Sequence, residues 1–180
     1  MLWYAFALST VGVLFHAAWA VFLCDLLKSV NKRIARFAFS VMLIGCSILA
    51  LQSFVLLSPI VVLQAKSTVN TFTPGQMQEI AFICLRFNSY ALYLFSVFFG
   101  VWLVSIAFLI FKSTFLPRVL AVLVAIAGGA WVIYLVPPVA IRVFPFIAAA
   151  SAVGEVPLEL WLIVMAVNEK KWYENNPNVP

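Results

Sequence analysis

The chain has 180 residues, of which 66% are hydrophobic and 9% charged, with a formal net charge of +5. An ordinary soluble domain is roughly 45–50% apolar and about 25% charged, so these residues cannot furnish a water-facing surface, and lipid is the remaining solvent. The basic excess does not point to nucleic acid: the lysines and arginines are few, sit in the breaks between apolar runs, and form no aromatic-interleaved stripe suited to stacking on bases.

A helix needs about 20 apolar residues to cross ~30 Å of hydrocarbon, and five runs meet that length. The first, residues 2–27, has no positively charged leader and no small-residue cleavage site, and it is too long for a signal-peptide core, so it reads as a span. It holds His16 near its middle and Asp25 near its end. The basic link VNKRIARFAF leads into the second span, residues 37–63, which carries no charge. Between about Gln64 and Arg86 lies the polar stretch STVNTFTPGQMQE, where Pro74-Gly75 is a turn signal, and this is the one sizeable external segment expected. Ile80 to Leu85 is apolar again, so the third span, residues 87–111, either begins early and tilts or follows a short interfacial helix. The fourth covers 119–136 and ends at Pro137-Pro138. The fifth covers 145–167 and holds Glu155 and Glu159, with Pro157 between them. Residues 168–180 form a polar tail.

Membrane strands alternate apolar and polar residues over about ten positions. These runs are apolar on all sides, and helices satisfy their own backbone groups as lipid requires. The expected fold class is therefore all-α, a single integral membrane bundle of about five transmembrane helices.

Eight basic residues (Lys28, Lys32, Arg33, Arg36, Lys112, Arg118, Lys170 and Lys171) fall on one side of this topology, and three (Lys66, Arg86 and Arg142) fall on the other. The positive-inside rule then places the N-terminus outside and the tail in the cytoplasm, in a multi-pass protein of the cell's inner (plasma) membrane. Trp3, Tyr4, Tyr90 and Tyr93 lie at the outer surface, and Trp172 and Tyr173 at the inner one, where amphipathic rings prefer to sit.

Ionisable groups within a span cost about 2.5–3.5 kcal/mol each at the centre, so they are the first candidates for function. Glu155 and Glu159 are spaced i, i+4 and share a helix face; such a pair suits proton relay or cation binding. The plainer alternative is a Glu155 bonded to a neighbouring helix and a Glu159 leaning toward water. Pro157 removes one backbone donor and is expected to kink the helix. His16 lies at about the depth of Glu155, which suggests a pairing between them, although a packed histidine bonded to a backbone carbonyl is the simpler outcome. Three cysteines (Cys24, Cys46 and Cys84) form no CxxC pair and read as core residues. No metal site is expected: bis-histidine haem would need a second histidine from another chain, and His16 and Asp25 are too far apart on one helix to share a metal; no cofactor or catalytic motif is recognisable.

Small residues point to packing. The fifth span carries Ala148 to Ala150, Ser151, Ala152 and Gly154, and the fourth carries Ala125, Ala127, Gly128, Gly129 and Ala130. Small side chains let membrane helices approach closely, so the fourth and fifth spans are expected to form a hairpin through Gly128, Gly129 and Gly154. The stretch FFGVWLVSIAFLIF is expected to face lipid or a partner.

Several features carry a resemblance: Phe99-Gly100, the hinge KSTFLPR at 112–118, Gly128-Gly129, and Gly154-Glu155 followed by Leu160-Trp161-Leu162. With the basic link before the second span, they resemble a bacterial family of multi-pass membrane proteins known only as a domain of unknown function, number four-three-eight-six. The resemblance covers most of the chain. It implies a membrane bundle and no known activity. Family members have six spans, so it also implies that this chain lacks the leading one, through loss or a late start.

Two functions fit these residues, ahead of a third, an enzyme acting on a lipid or quinone, which has little positive support. The first is a non-catalytic binding or accessory subunit of a membrane complex, suited to short loops and apolar faces. The alternative is a small transporter or proton/cation pathway using the buried carboxylates. Expected partners are membrane lipids, then other membrane subunits or further copies of the chain in a homo-oligomer.

Overall fold

The computed structural model describes residues 2–64, 72–165 and 172. Among them are seven α-helices and one short 3₁₀ turn, with no strand. The helices are α1 (Leu2–Leu27), α2 (Lys32–Val55), α3 (Ser58–Gln64), α4 (Pro74–Lys112), α5 (Arg118–Val132), α6 (Pro137–Arg142) and α7 (Phe144–Val164). Five helical stretches are long and apolar enough to cross a membrane: α1, Lys32–Gln64, α4, Arg118–Leu135 and α7. The fold is thus the all-α bundle that composition demands. The end of the fifth span beyond Met165, the polar tail with Lys170, Lys171 and Tyr173, and Lys66 lie outside the described residues.

Local chemistry sets the element boundaries. The Asn31 side chain caps α2 by accepting from the backbone N–H of Arg33 and Ile34, both at 3.1 Å. Helix α2 therefore begins at Lys32, inside the basic link. Thr73 and Gln76 form a reciprocal capping box at the start of α4, and Pro74 occupies the first helical turn, where its missing N–H costs nothing. The Pro74-Gly75 turn signal is thus a helix start, and the expected external loop ends there. Helix α4 then runs 39 residues without a break, about 58 Å at 1.5 Å per residue, so its first turns extend beyond a bilayer core. Met77 and Ala81 are buried in those turns, where α4 packs against α3. At the other end of α4, Ser113 donates its hydroxyl to the Ile110 carbonyl, and the buried Phe115 and Leu116 pin the 112–118 hinge to the core.

Helix α4 is central, with α2 on one side and α5 on the other. Helix α1 packs mainly on α2, and α7 on α5. This corrects the lipid-facing expectation for FFGVWLVSIAFLIF: Phe99, Gly100, Trp102, Leu103, Ile106, Ala107, Leu109 and Ile110 are all buried in α4. A helix flanked on both sides hides two of its faces whatever its composition, while Val104, Phe108 and Phe111 of the same stretch stay exposed. By contrast, α1 buries only Ala20, Leu23 and Leu27, along its last turns.

Glycine seals the α4–α5 seam. A Cβ on Gly100 would lie 2.7 Å from the Gly128 carbonyl oxygen, and one on Gly128 would lie 2.9 Å from the Gly100 oxygen. Gly154 plays the same part between α7 and α5: its Cβ would meet the Leu123 carbonyl oxygen at 2.5 Å and the Ala127 side chain at 2.6 Å. The packing expectation needs correcting at two places. Gly128 serves α4 rather than the hairpin with α7. Gly129 is exposed, and a methyl group added there would meet nothing within 4 Å.

Candidate functional site: a polar cleft between α1, α4 and α7

Helix α7 places Ser151, Glu155 and Glu159 one turn apart on a single face, as i, i+4 spacing requires. The close approach at Gly154 sets the distance of this helix from α5, and α5 supplies Trp131. The Trp131 indole N–H donates to the Ser151 hydroxyl oxygen and to Glu155 Oε1, both at 3.2 Å. The Ser151 hydroxyl also bonds to Glu155 Oε1. Glu155 is therefore held by two partners, one on its own helix and one on the next. Glu159 has no hydrogen bond or ion pair among the described residues. Pro157 sits between the two acids inside an unbroken α7, where it leaves the Val153 carbonyl without its helical donor.

His16 reaches the same place from α1. Its Nδ1 lies 2.8 Å from the Gly12 carbonyl oxygen. A carbonyl only accepts, so Nδ1 carries a proton, and Nε2 makes no hydrogen bond among the described residues. The ring meets Phe95 and Phe99 edge-on, with centroids 5.6 Å away in each case.

These groups line one cavity of about 200 Å³, walled by Phe15, His16 and Trp19 of α1, Phe99, Trp102, Leu103 and Ile106 of α4, and Glu155, Leu158 and Glu159 of α7. Helices α1 and α7 make no extensive contact with each other. The three intramembrane candidates, from opposite ends of the chain, thus share a cavity. His16 and Glu155 are not hydrogen-bonded to each other; each has its own partners. The remaining ionisable candidates lie elsewhere. Asp25 is exposed and pairs with Lys28 at 2.8 Å. Arg86 sits over the Phe82 ring at 5.0 Å.

Some contributors were not legible from the sequence. Trp131 lies 24 positions before Glu155, and no motif links them. Ser151 stands one turn before Glu155, which is a usable signal. Trp102 is 2% exposed and its indole N–H has no hydrogen-bond partner among the described residues. Two polar pairs tie helices together outside the cleft: Gln52 donates to Asn88 at 2.8 Å between α2 and α4, and Ser9 bonds to Ser53 between α1 and α2. Among the described residues no cluster of His, Cys, Asp or Glu could hold a metal ion, and all three cysteines are free.

The architecture defines a multi-pass helical membrane protein with a polar cleft set in an apolar bundle. The family model described as Domain of unknown function (DUF4386) matches residues 1–166, and the chain belongs to that family. No curated protein and no solved structure matches it.

Proposed function

We propose that the protein is a membrane-embedded cation or proton pathway that works through the α1–α4–α7 cleft, with its N-terminus outside and its C-terminus in the cytoplasm. The observation that supports this reading is the convergence of Glu155, Glu159 and the single histidine on one cavity. Ionisable groups at this depth cost about 2.5–3.5 kcal/mol each, and three rarely meet unless something is bound or passed between them. Glu155 is positioned by Trp131 and Ser151, while Glu159 and His16 Nε2 have no hydrogen-bond partner among the described residues. An accessory subunit of a larger complex is the other reading. The exposed apolar faces of α1 and α7 suit a partner, but lipid covers such faces equally well.

Flux into proteoliposomes tests the proposal, with imposed gradients of protons, Na⁺, K⁺ and tetramethylammonium measured separately. The expected result is flux of at least one of these that Glu155→Gln reduces at least tenfold. Absence of all four, or flux indifferent to Glu155→Gln and Glu159→Gln, contradicts it.

A further inference from the structure

Helix α4 carries a cation that the cleft does not use. After Arg86 the next charged residue is Lys112, 26 positions later. At 1.5 Å per residue the two stand about 39 Å apart along the helix, and a bilayer with its headgroups is about 40–45 Å thick. When Lys112 lies in one headgroup layer, Arg86 therefore lies in the other. The Arg86 side chain agrees with that depth. Its guanidinium sits 5.0 Å over the ring of Phe82, one turn nearer the start of α4, so it reaches away from the apolar run as snorkelling side chains do. Arg86 is exposed and makes no ion pair among the described residues. Stacking on a ring leaves the N–H donors of the guanidinium fork free for an anion.

A surface cavity of about 430 Å³ adjoins this residue, walled by Ser89, Tyr90 and Tyr93 of α4 and by Pro137, Pro138 and Ile141 of α6. The wall is held in place. Tyr93 stacks on the buried Tyr134 with ring centroids 5.3 Å apart, and Tyr90 meets Tyr93 edge-on at 6.0 Å. Two consecutive prolines stiffen the opposite side. One cation above aromatic and proline rings matches a phospholipid, with the phosphate for the guanidinium and the glycerol and upper acyl carbons for the rings. Charge selects among lipids: no acidic residue lines this cavity, so the ammonium of a zwitterionic headgroup would find no carboxylate beside Arg86. Arg86 also borders a cavity on its other flank, but Glu79 stands there, and its carboxylate disfavours an anion.

We infer that the cavity between α4 and α6 binds an anionic phospholipid, with its phosphate on the Arg86 guanidinium and its glycerol and upper acyl carbons against Tyr90, Tyr93 and Pro137-Pro138. Arginine pairs with phosphate through two parallel hydrogen bonds, and the headgroup layer presents that phosphate at the depth of Arg86. This site is separate from the α1–α4–α7 cleft and does not depend on what the cleft conducts.

The test is lipid retention by the full chain in detergent, counted by native mass spectrometry, with dioleoylphosphatidylglycerol and dioleoylphosphatidylcholine as probes. Phosphatidylglycerol is expected to bind at least fivefold more tightly than phosphatidylcholine. Arg86→Gln is expected to remove one retained phosphatidylglycerol per chain, weakening that step about fivefold, as loss of one cation near a membrane surface does. Arg86→Lys keeps the charge without the fork and should fall between. Arg142→Gln removes a cation that does not line the cavity and should leave the count unchanged. An unchanged count in Arg86→Gln, which assigns the retained lipid to the basic link before α2, overturns the inference. Equal affinity for the two lipids overturns it, as do equal losses in Arg86→Gln and Arg142→Gln in protein that stays monodisperse. Displacement of the lipid by millimolar inorganic phosphate overturns the lipid as the source of the anion.

Discussion

Helix α5 meets α4 and α7 without room for a methyl group, whereas α1 and α7 stand apart and leave a polar cavity. At the Gly100–Gly128 and Gly154–Leu123 contacts, backbone touches backbone, and packing of this kind is what holds helices together in lipid. At the cleft, side chains that lipid penalises face one another across open space. The contrast separates two tasks. The glycine seams fix where α4, α5 and α7 stand, and that placement sets Glu155 and Glu159 on the cavity that His16 reaches from α1, which packs on α2.

The largest effects are therefore expected at the seams. Gly128→Ala and Gly154→Ala each force a Cβ into backbone atoms and should lower stability by about 1–3 kcal/mol, with leucine at either position costing more. Reversible unfolding in mixed micelles measures this, and a neutral Gly154→Ala would break the account of the α5–α7 contact. Next comes Trp131→Phe, which removes the donor that ties α5 to Glu155. It should cost about 1 kcal/mol and should also change cation binding or flux; a stability loss with unaltered binding would detach Trp131 from the site. Smaller still is the Gln52–Asn88 link. A double-mutant cycle with leucine at both positions should show a coupling of about 0.6 kcal/mol, typical of interhelical hydrogen bonds in membranes. At the bottom stands Gly129→Ala, where the methyl meets nothing. Improved helix propensity should stabilise it by up to about 1 kcal/mol, and a loss there comparable to Gly128→Ala would erase the distinction between the two glycines.

The sequence revealed the bundle readily because lipid imposes a coarse demand: long apolar runs, each satisfying its own backbone. It also exposed the acids and the histidine, since charge in such a run is conspicuous. Neighbour relations were harder to read. FFGVWLVSIAFLIF looks like a lipid-facing surface, but it belongs to the helix with partners on both sides, and apolar composition is the same against lipid as against protein. Gly128 and Gly129 are equivalent on paper, yet the rotation of about 100° per helical residue puts the first in a seam and the second in the open. Pro74-Gly75 reads as a turn until Thr73 and Gln76 are recognised as a capping box. Trp131 was invisible because its bond to Glu155 depends on how α5 and α7 are docked.

The convergence of α1 and α7 on one cleft is the claim on which the rest depends, and cross-linking in membranes tests it most directly. With Cys24, Cys46 and Cys84 replaced by alanine, the pair His16→Cys and Glu155→Cys should be bridged within one chain by a short thiol-reactive linker. The pair Ser9→Cys and Ser53→Cys, whose native hydroxyls are bonded, serves as the positive control. Bridging of both pairs is the expected result; a control that bridges while His16→Cys and Glu155→Cys stay separate would contradict the cleft.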